Sequence, residues 1–306
     1  MTPRICVVGA ANVDLISYLP RLPRMGETLH GSAFHLGYGG KGANQAVMAA
    51  KLGAQVSMVT KLGRDVFGDG TLENFRRWNV DTTYVSTTDA AFSGVAPIMV
   101  DPEGHNSIVI VTGAGDLLGA DEVERAGPAI TGAAVLAGQL ELPVEPTLAA
   151  MRLARAAGVR TVLNPAPAQA ELPAELFELS DVLCPNQGEA ALLTGTSEGD
   201  PEAASRALID RGARSVVVTL GERGALVVED GAVVPVPGTP AAAVDTTGAG
   251  DAFVGALSYF LAAGCPLPVA AERAALIAGR SVRKRGTQTS FPDRSELPAE
   301  LFDDPS

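Results

Sequence analysis

The chain has 306 residues, 46% of them hydrophobic and 19% charged, with 34 glycines and 21 prolines. That length buries a large core without disulfide staples, and the composition excludes a disordered chain. Its 35 acidic and 23 basic residues leave a formal net charge of −12, which speaks against a nucleic-acid duplex as partner, since phosphate backbones attract basic faces.

Taken in chain order, residues 5–9 form a short strand-like run directly after Arg4, without the apolar stretch and cleavage site of a signal peptide. No run reaches the length of a membrane span, so a cytoplasmic protein is expected. Cys6, Cys184 and Cys265 are scattered and odd in number, as buried thiols in a reducing compartment would be. His30, His35 and His105 lack an HExxH spacing or a companion cysteine pair, so no zinc site is expected.

Residues 5–9, 56–61, 134–137, 161–164, 182–184 and 215–219 read as buried strands. Amphipathic helices are expected over 145–157 and 202–211, each giving way to a glycine before the next strand. The alternation implies an α/β domain with a parallel sheet covered by helices, spanning residues 1–306. Two stretches, 11–38 and about 90–112, break this rhythm: they carry β-like segments at 28–36, 93–100 and 107–111 with no helix between. They form either a small antiparallel sheet acting as a lid or edge hairpins of the main sheet, and the pattern leaves both open.

Two glycine-rich segments carry chemistry. Residues 37–46, Gly-Tyr-Gly-Gly-Lys-Gly-Ala-Asn-Gln-Ala, open a helix expected to run through Leu52. Glycines there let a polyol lie against backbone amides, and Asn44 offers both a donor and an acceptor to neighbouring hydroxyls. The same letters satisfy GxGxxG, but the first strand-to-helix turn of the chain lies near Gly9, so a dinucleotide fold is not inferred. No GxxxxGK[ST] Walker loop is present. Further on, Ala-Val-Asp-Thr-Thr-Gly-Ala-Gly-Asp-Ala-Phe at 243–253 passes from turn chemistry into an apolar helix through Ala262. Free N–H groups at such a helix start, with the positive end of its dipole, form an anion hole. Asp251 falls in the first turn, either as a general base beside a transferring phosphoryl group or as an ordinary first-turn acid.

Other polar residues sit where strands end. Asn12 and Asp14 follow the first strand, and Asn186 with Glu189 follow 182–185 in the spacing NxxE, either near a hydrated magnesium ion or as a helix cap. Thr219-Leu-Gly-Glu-Arg-Gly224 turns sharply, so Gly221 and Gly224 either admit a nucleotide or serve a hairpin. Glu141, just past the run 134–140, is ambiguous alone.

Together these residues resemble the PfkB family of sugar kinases, whose two signature regions look like Gly39 to Ala46 and Asp245 to Asp251 in order and separation. The resemblance runs nearly end to end. Gly26-Glu-Thr28, Asn164-Pro-Ala-Pro167, Asn186 to Glu189 and Lys284 to Ser290 are similar to the family members that phosphorylate ribose. It implies a three-layer α/β sandwich with a central mostly parallel sheet and a small β-sheet lid. It further implies ATP-dependent phosphorylation of D-ribose at O5, with fructose, deoxyribose and nucleosides as alternative acceptors and a non-catalytic sugar- or nucleotide-binding regulator as the rival outside enzymes.

Carried over by position, the resemblance gives the sugar to Asn12, Asp14, Gly40, Lys41, Asn44, Glu141 and Asp251, with Asp251 as base and Gly248, Ala249, Gly250 and Asp251 as anion hole. ATP falls to Asn186, Glu189, Thr219, Gly221, Gly224 and Gly250, with Glu189 acting on Mg²⁺ through water. A monovalent cation, expected to be K⁺, falls to Asp245, Thr247, Ser281, Lys284, Gly286 and Ser290, and paired lids imply a homodimer. Two positions depart from the pattern: Ala275 stands where a polar residue near adenine is common, and Ala114-Gly-Asp116 replaces Ala-Asn after the lid strand.

Overall fold

Side-chain alternation in the first strand sets the layering of the computed structural model, which describes residues 2–303. In β1 (Arg4–Val8) Ile5 and Val7 join one hydrophobic core while Cys6 and Val8 join another, as a strand with a period of two requires when both faces are covered. The strands that follow are β2 (Asn12–Tyr18), β3 (Ala33–Gly39), β4 (Gln55–Gly63), β5 (Val80–Asp81), β6 (Val85–Thr88) and β7 (Gly94–Val100). Then come β8 (Asn106–Ile108), β9 (Val135–Gly138), β10 (Arg160–Leu163), β11 (Val182–Leu183), β12 (Ser215–Thr219), β13 (Gly224–Glu229) and β14 (Ala232–Pro237).

The main sheet runs β14-β13-β12-β11-β10-β9-β1-β4-β5, with β6 also paired to β4. Pairing is parallel from β5 to β12, and β13 and β14 add an antiparallel hairpin at one edge. One face carries the helices Lys41–Lys51, Val66–Arg77, Ala249–Ala262 and Leu267–Ser281. The other carries Ala120–Arg125, Gly127–Gly132, Val144–Ala156, Ala174–Glu178, Gln187–Thr194 and Pro201–Asp210. The expected helices over 145–157 and 202–211 each begin one residue early, because Val144 and Pro201 already adopt helical geometry.

The two irregular stretches form a sheet of their own, ordered β3-β2-β7-β8, rather than edge hairpins of the main sheet. It is mixed, not antiparallel: β2 pairs antiparallel with β3, and β7 with β8, but β2 and β7 run parallel. The reason is topological. β2 leaves the main sheet after β1, and β7 leaves it after β6, which runs parallel to β4, so both strands depart in the same direction.

Parallel strands bring their C-terminal ends to one edge, where ligands of open α/β sheets bind. Asn12 follows β1, Gln139 and Glu141 follow β9, Asn164 follows β10, Asn186 follows β11 and Thr219 ends β12. The helix Lys41–Lys51 is drawn tight against this edge: a Cβ at Gly42 would lie 2.7 Å from the Gly9 backbone, and Ala43 N–H donates to the Ala10 carbonyl at 3.0 Å. Alanine is the better helix former, yet Gly42→Ala is expected to destabilise the protein by about 1–3 kcal/mol through overpacking. Urea unfolding measures it, and an unchanged or raised midpoint would contradict the close approach.

Candidate active site

The site begins at the helix Ala249–Ala262, whose apolar length is buried from Asp251 to Leu261. At its start Ala249 is half-buried and Gly250 exposed, so the helix opens to solvent one residue before the buried Asp251. Gly248 caps it in the left-handed region (φ 77), and a Cβ there would meet Thr287 Cγ2 at 2.4 Å. The Ala249 N–H turns back to the Thr246 carbonyl at 3.2 Å, so the members of the expected set left to offer an amide are Gly248, Gly250 and Asp251, all three lining the same cavity. Space beside Gly250 is open, with no atom within 4 Å of a would-be Cβ.

Asp251 is only 7% exposed and sits between two amide side chains from one turn of the helix Lys41–Lys51. Asn44 Nδ2 donates to Oδ2 at 2.8 Å, and Gln45 Nε2 donates to Oδ1 at 3.3 Å. Each donor is held in turn. Gln288 Nε2 donates to Asn44 Oδ1 at 3.0 Å, and Gln139 Nε2 donates to Gln45 Oε1 at 2.6 Å. Gln45 Nε2 also reaches Asn164 Oδ1 at 3.2 Å, whose Nδ2 donates to the Cys184 carbonyl at 2.9 Å.

Lys41 is the cation of the site. Its backbone N–H donates to Glu141 Oε2 at 2.7 Å. Burial works to lower its ammonium, but Asp251, Glu141 and Glu189 together lift it above its ordinary value. Burial raises Glu141 and Glu189, with the Lys41 charge and backbone donors opposing it. Asp14 goes further: burial pushes it up to about 6, with Thr287 Oγ1 at 3.5 Å as weak relief and the nearby Asp251 adding to the rise. Asp14 lies over Gly39, where a Cβ would meet its Oδ2 at 2.5 Å.

Lys41, Asn186, Glu189, Thr219, Gly248, Gly250 and Asp251 line one cavity of about 120 Å³. Asn186 and Glu189 also form the helix cap that their spacing allowed: Glu189 N–H donates to Asn186 Oδ1 and Asn186 N–H to Glu189 Oε2, each at 2.8 Å. A wider cleft of about 800 Å³ continues from Thr219 and Gly250 past Gly221 and Gly224 to Ala275, Ala278 and Gly279. Asn12 is buried against Gly94, and Gly40 (φ 86) brings the helix start within contact of Ala10 and Asn12.

The six residues expected around a monovalent cation are partly assembled. Asp245 Oδ1 accepts from Thr247 N–H and Oδ2 from Gly286 N–H, each at 2.9 Å, and these donors hold it below the usual carboxylate range against its burial. Ser281 and Ser290 hydroxyls donate to the carbonyls of Ala278 and Thr287. The Lys284 side chain turns away to Glu296 at 2.9 Å.

Sequence reasoning included Gln45, Asn164, Thr287 and Gln288 in segments that carry the resemblance but gave none of them a role, and it missed Gln139. Asn44 and Gln45 form a polar pair in an otherwise small and apolar helix, a signal that both face something polar. Nothing comparable marks Gln288 in its loop.

A family model described as pfkB family carbohydrate kinase matches residues 2–294. The chain is 43% identical to a protein named ribokinase from Mus musculus over 97% of this chain and 94% of the mouse protein. It is 41% identical to a deoxyribokinase from Salmonella typhi over 94% of this chain and 95% of that one. Its structure resembles that of Arabidopsis thaliana ribokinase complexed with ribose and ATP, with a TM-score of 0.90, 31% identity and full coverage of both chains.

Asp14 gives the site a pH signature. Because its folded pKa of about 6 lies above the ordinary 3.8, it favours the folded state while protonated, and this contribution is lost as pH rises through about 6. Asp14→Asn is therefore expected to be more stable than the parent by about 1–3 kcal/mol near neutral pH, the gap closing in acid. Urea titrations across pH check this, and a variant less stable at neutral pH would contradict it.

Proposed function

Because the chain belongs to the pfkB family of carbohydrate kinases, we propose that it transfers the γ-phosphoryl group of ATP to O5 of D-ribose. The observation that carries this reading is Asp251, held by two amides at a helix start and lining the small cavity, next to Gly250, which lines both that cavity and the wider cleft. The sugar lies over Gly40 and Lys41, with Asn12, Asp14, Asn44 and Glu141 engaging its hydroxyls. Carboxylates raised by burial gain most from such donors, since each hydroxyl replaces lost hydration.

Asp251 takes the proton from O5 as the bond from O5 to the γ-phosphorus forms and the bond from that phosphorus to the β–γ bridging oxygen breaks, releasing ADP. The amides of Gly250 and Asp251 stabilise the equatorial charge in place. The nucleotide occupies the cleft lined by Thr219, Gly221 and Gly224, with Asn186 at its inner end. The small apolar wall of Ala275, Ala278 and Gly279 meets the base by shape.

Among the protein's carboxylates, Glu189 best suits a hydrated Mg²⁺: it lines the cavity, and burial raises it, a cost that a cation relieves. Such an ion supplies charge neutralisation for the phosphates. Carbonyls around Ser281, Lys284, Gly286 and Ser290, with the loop at Asp245 and Thr247, suit K⁺, and exchange for Na⁺ without change in turnover would remove it from the account. Exposed Phe34, Leu36, Ile108, Val109, Ile110 and Val111 on the small sheet support its role as a lid and a homodimer through paired lids, a state that light scattering reads directly. No helix among the described residues is long and apolar enough to cross a membrane, and dependence on ATP favours the cytoplasm.

The 41% identity to a deoxyribokinase favours 2-deoxyribose as the second reading of the acceptor. Asp251→Asn is expected to lower turnover with ribose by about 10² to 10⁴-fold. A coupled ADP assay with ribose, deoxyribose, fructose and nucleosides measures both questions: near-normal turnover of the variant would overturn the base, and activity confined to nucleosides would overturn ribose.

A further inference from the structure

Amide side chains have a donor end and an acceptor end of nearly the same size, so a single amide beside a carboxylate is aligned only if something else fixes which end faces it. Asp251, acting as a base, accepts hydrogen bonds and donates none. Asn44 must then present Nδ2 to it, which turns Asn44 Oδ1 toward Gln288. Gln288 must present Nε2 to that oxygen, which turns its own Oε1 toward Asn74 Nδ2 at 2.7 Å. The donors thus point one way, from Asn74 through Gln288 and Asn44 to Asp251.

Gln288 is 4% exposed and belongs to the loop following the helix Leu267–Ser281, between Gly286 and Ser290. This loop is tied twice to the helix that carries Asn44. Lys51, at the end of that helix, donates to the carbonyls of Gln288 at 3.3 Å and Phe291 at 2.5 Å, with its ammonium over the Trp78 ring at 4.3 Å. Gln288 supplies the second tie through its side chain. Besides the packing of Thr287 against Gly248, the loop position is therefore transmitted to the carboxylate through two amides in series, Gln288 and Asn44.

We propose that Gln288 is a positioning residue for phosphoryl transfer: it fixes the orientation of the Asn44 amide, and so makes alignment of the Asp251 carboxylate depend on the placement of the 285–291 loop. Without the Gln288 donor, Asn44 Oδ1 loses its partner, and the amide is free to turn its oxygen toward Asp251. The loop that carries Gly286 and Ser290 then controls the base without touching substrate. This inference rests on the reading of Asp251 as the general base.

A double-mutant cycle on the intact protein tests it. Gln288→Met keeps the side-chain length and removes the donor, and is expected to lower kcat with ribose by about 10- to 100-fold, the scale of a misplaced reacting group. In an Asn44→Ala background the same change is expected to cost less than about twofold, because the route to Asp251 is already broken. Gln288→Leu, which lacks the donor and carries no charge, repeats the cycle independently should the methionine variant fold poorly. Wild-type kcat in the Gln288 variants, or an equal loss with and without Asn44, would overturn the proposal, the latter by showing a packing role. Asp251→Asn assayed alongside separates the two claims: if it retains turnover the base reading itself fails, and if it is inactive while the cycle shows no coupling only the positioning role fails.

Discussion

The hydrogen bond from Asn44 to Asp251 joins the two helix starts on which the site is built. One helix begins at Lys41, pressed onto the first strand by glycines, and the other begins at Ala249, buried along its length by apolar residues. In the proposed reaction the first start serves the sugar hydroxyls and the second the transferred phosphoryl group. Their contact places the Asp251 carboxylate between the buried amides of Asn44 and Gln45, which hold it in position. An amide holds a carboxylate by direction rather than by charge, so Asp251 is fastened in place while its charge is not neutralised by its holders.

Charge in the site is otherwise unbalanced. Asp251, Glu141 and Glu189 act on Lys41, Asp14 lies near Asp251, and burial raises Asp14, Glu141 and Glu189. A fold selected for stability alone would replace them with apolar residues. In the proposed reaction this cost is offset by ligands: sugar hydroxyls at Asp14 and Glu141, and a cation accompanying the nucleotide at Glu189. A net negative charge does not bar a polyanionic nucleotide, since helix-start amides and Lys41 act locally while the charge of the distant surface is screened.

Much of this was legible in the sequence. The alternation of strands and helices located the parallel strands at 5–9, 56–61, 134–137, 161–164, 182–184 and 215–219, because buried parallel strands are continuous apolar runs that stand out against amphipathic helices. The glycine-rich starts near Lys41 and Ala249 were visible because close backbone approach leaves no other residue type. What escaped was pairing between distant segments. The parallel contact of β2 with β7 links residues 12–18 to 94–100, and no local pattern encodes it. Gln288 and Gln139 escaped for the same reason, since a buried glutamine reads as a surface residue until its partner, far along the chain, is placed beside it.

The proposed reaction joins the sugar O5, beside Asp251, to the terminal phosphorus of ATP. The position of the transferred phosphate tests it most directly. Incubation with ribose and ATP, followed by ³¹P and ¹³C NMR of the products, should show one phosphomonoester on C5 formed in step with ADP. Release of inorganic phosphate with unmodified ribose, or phosphate on another carbon, would contradict the account.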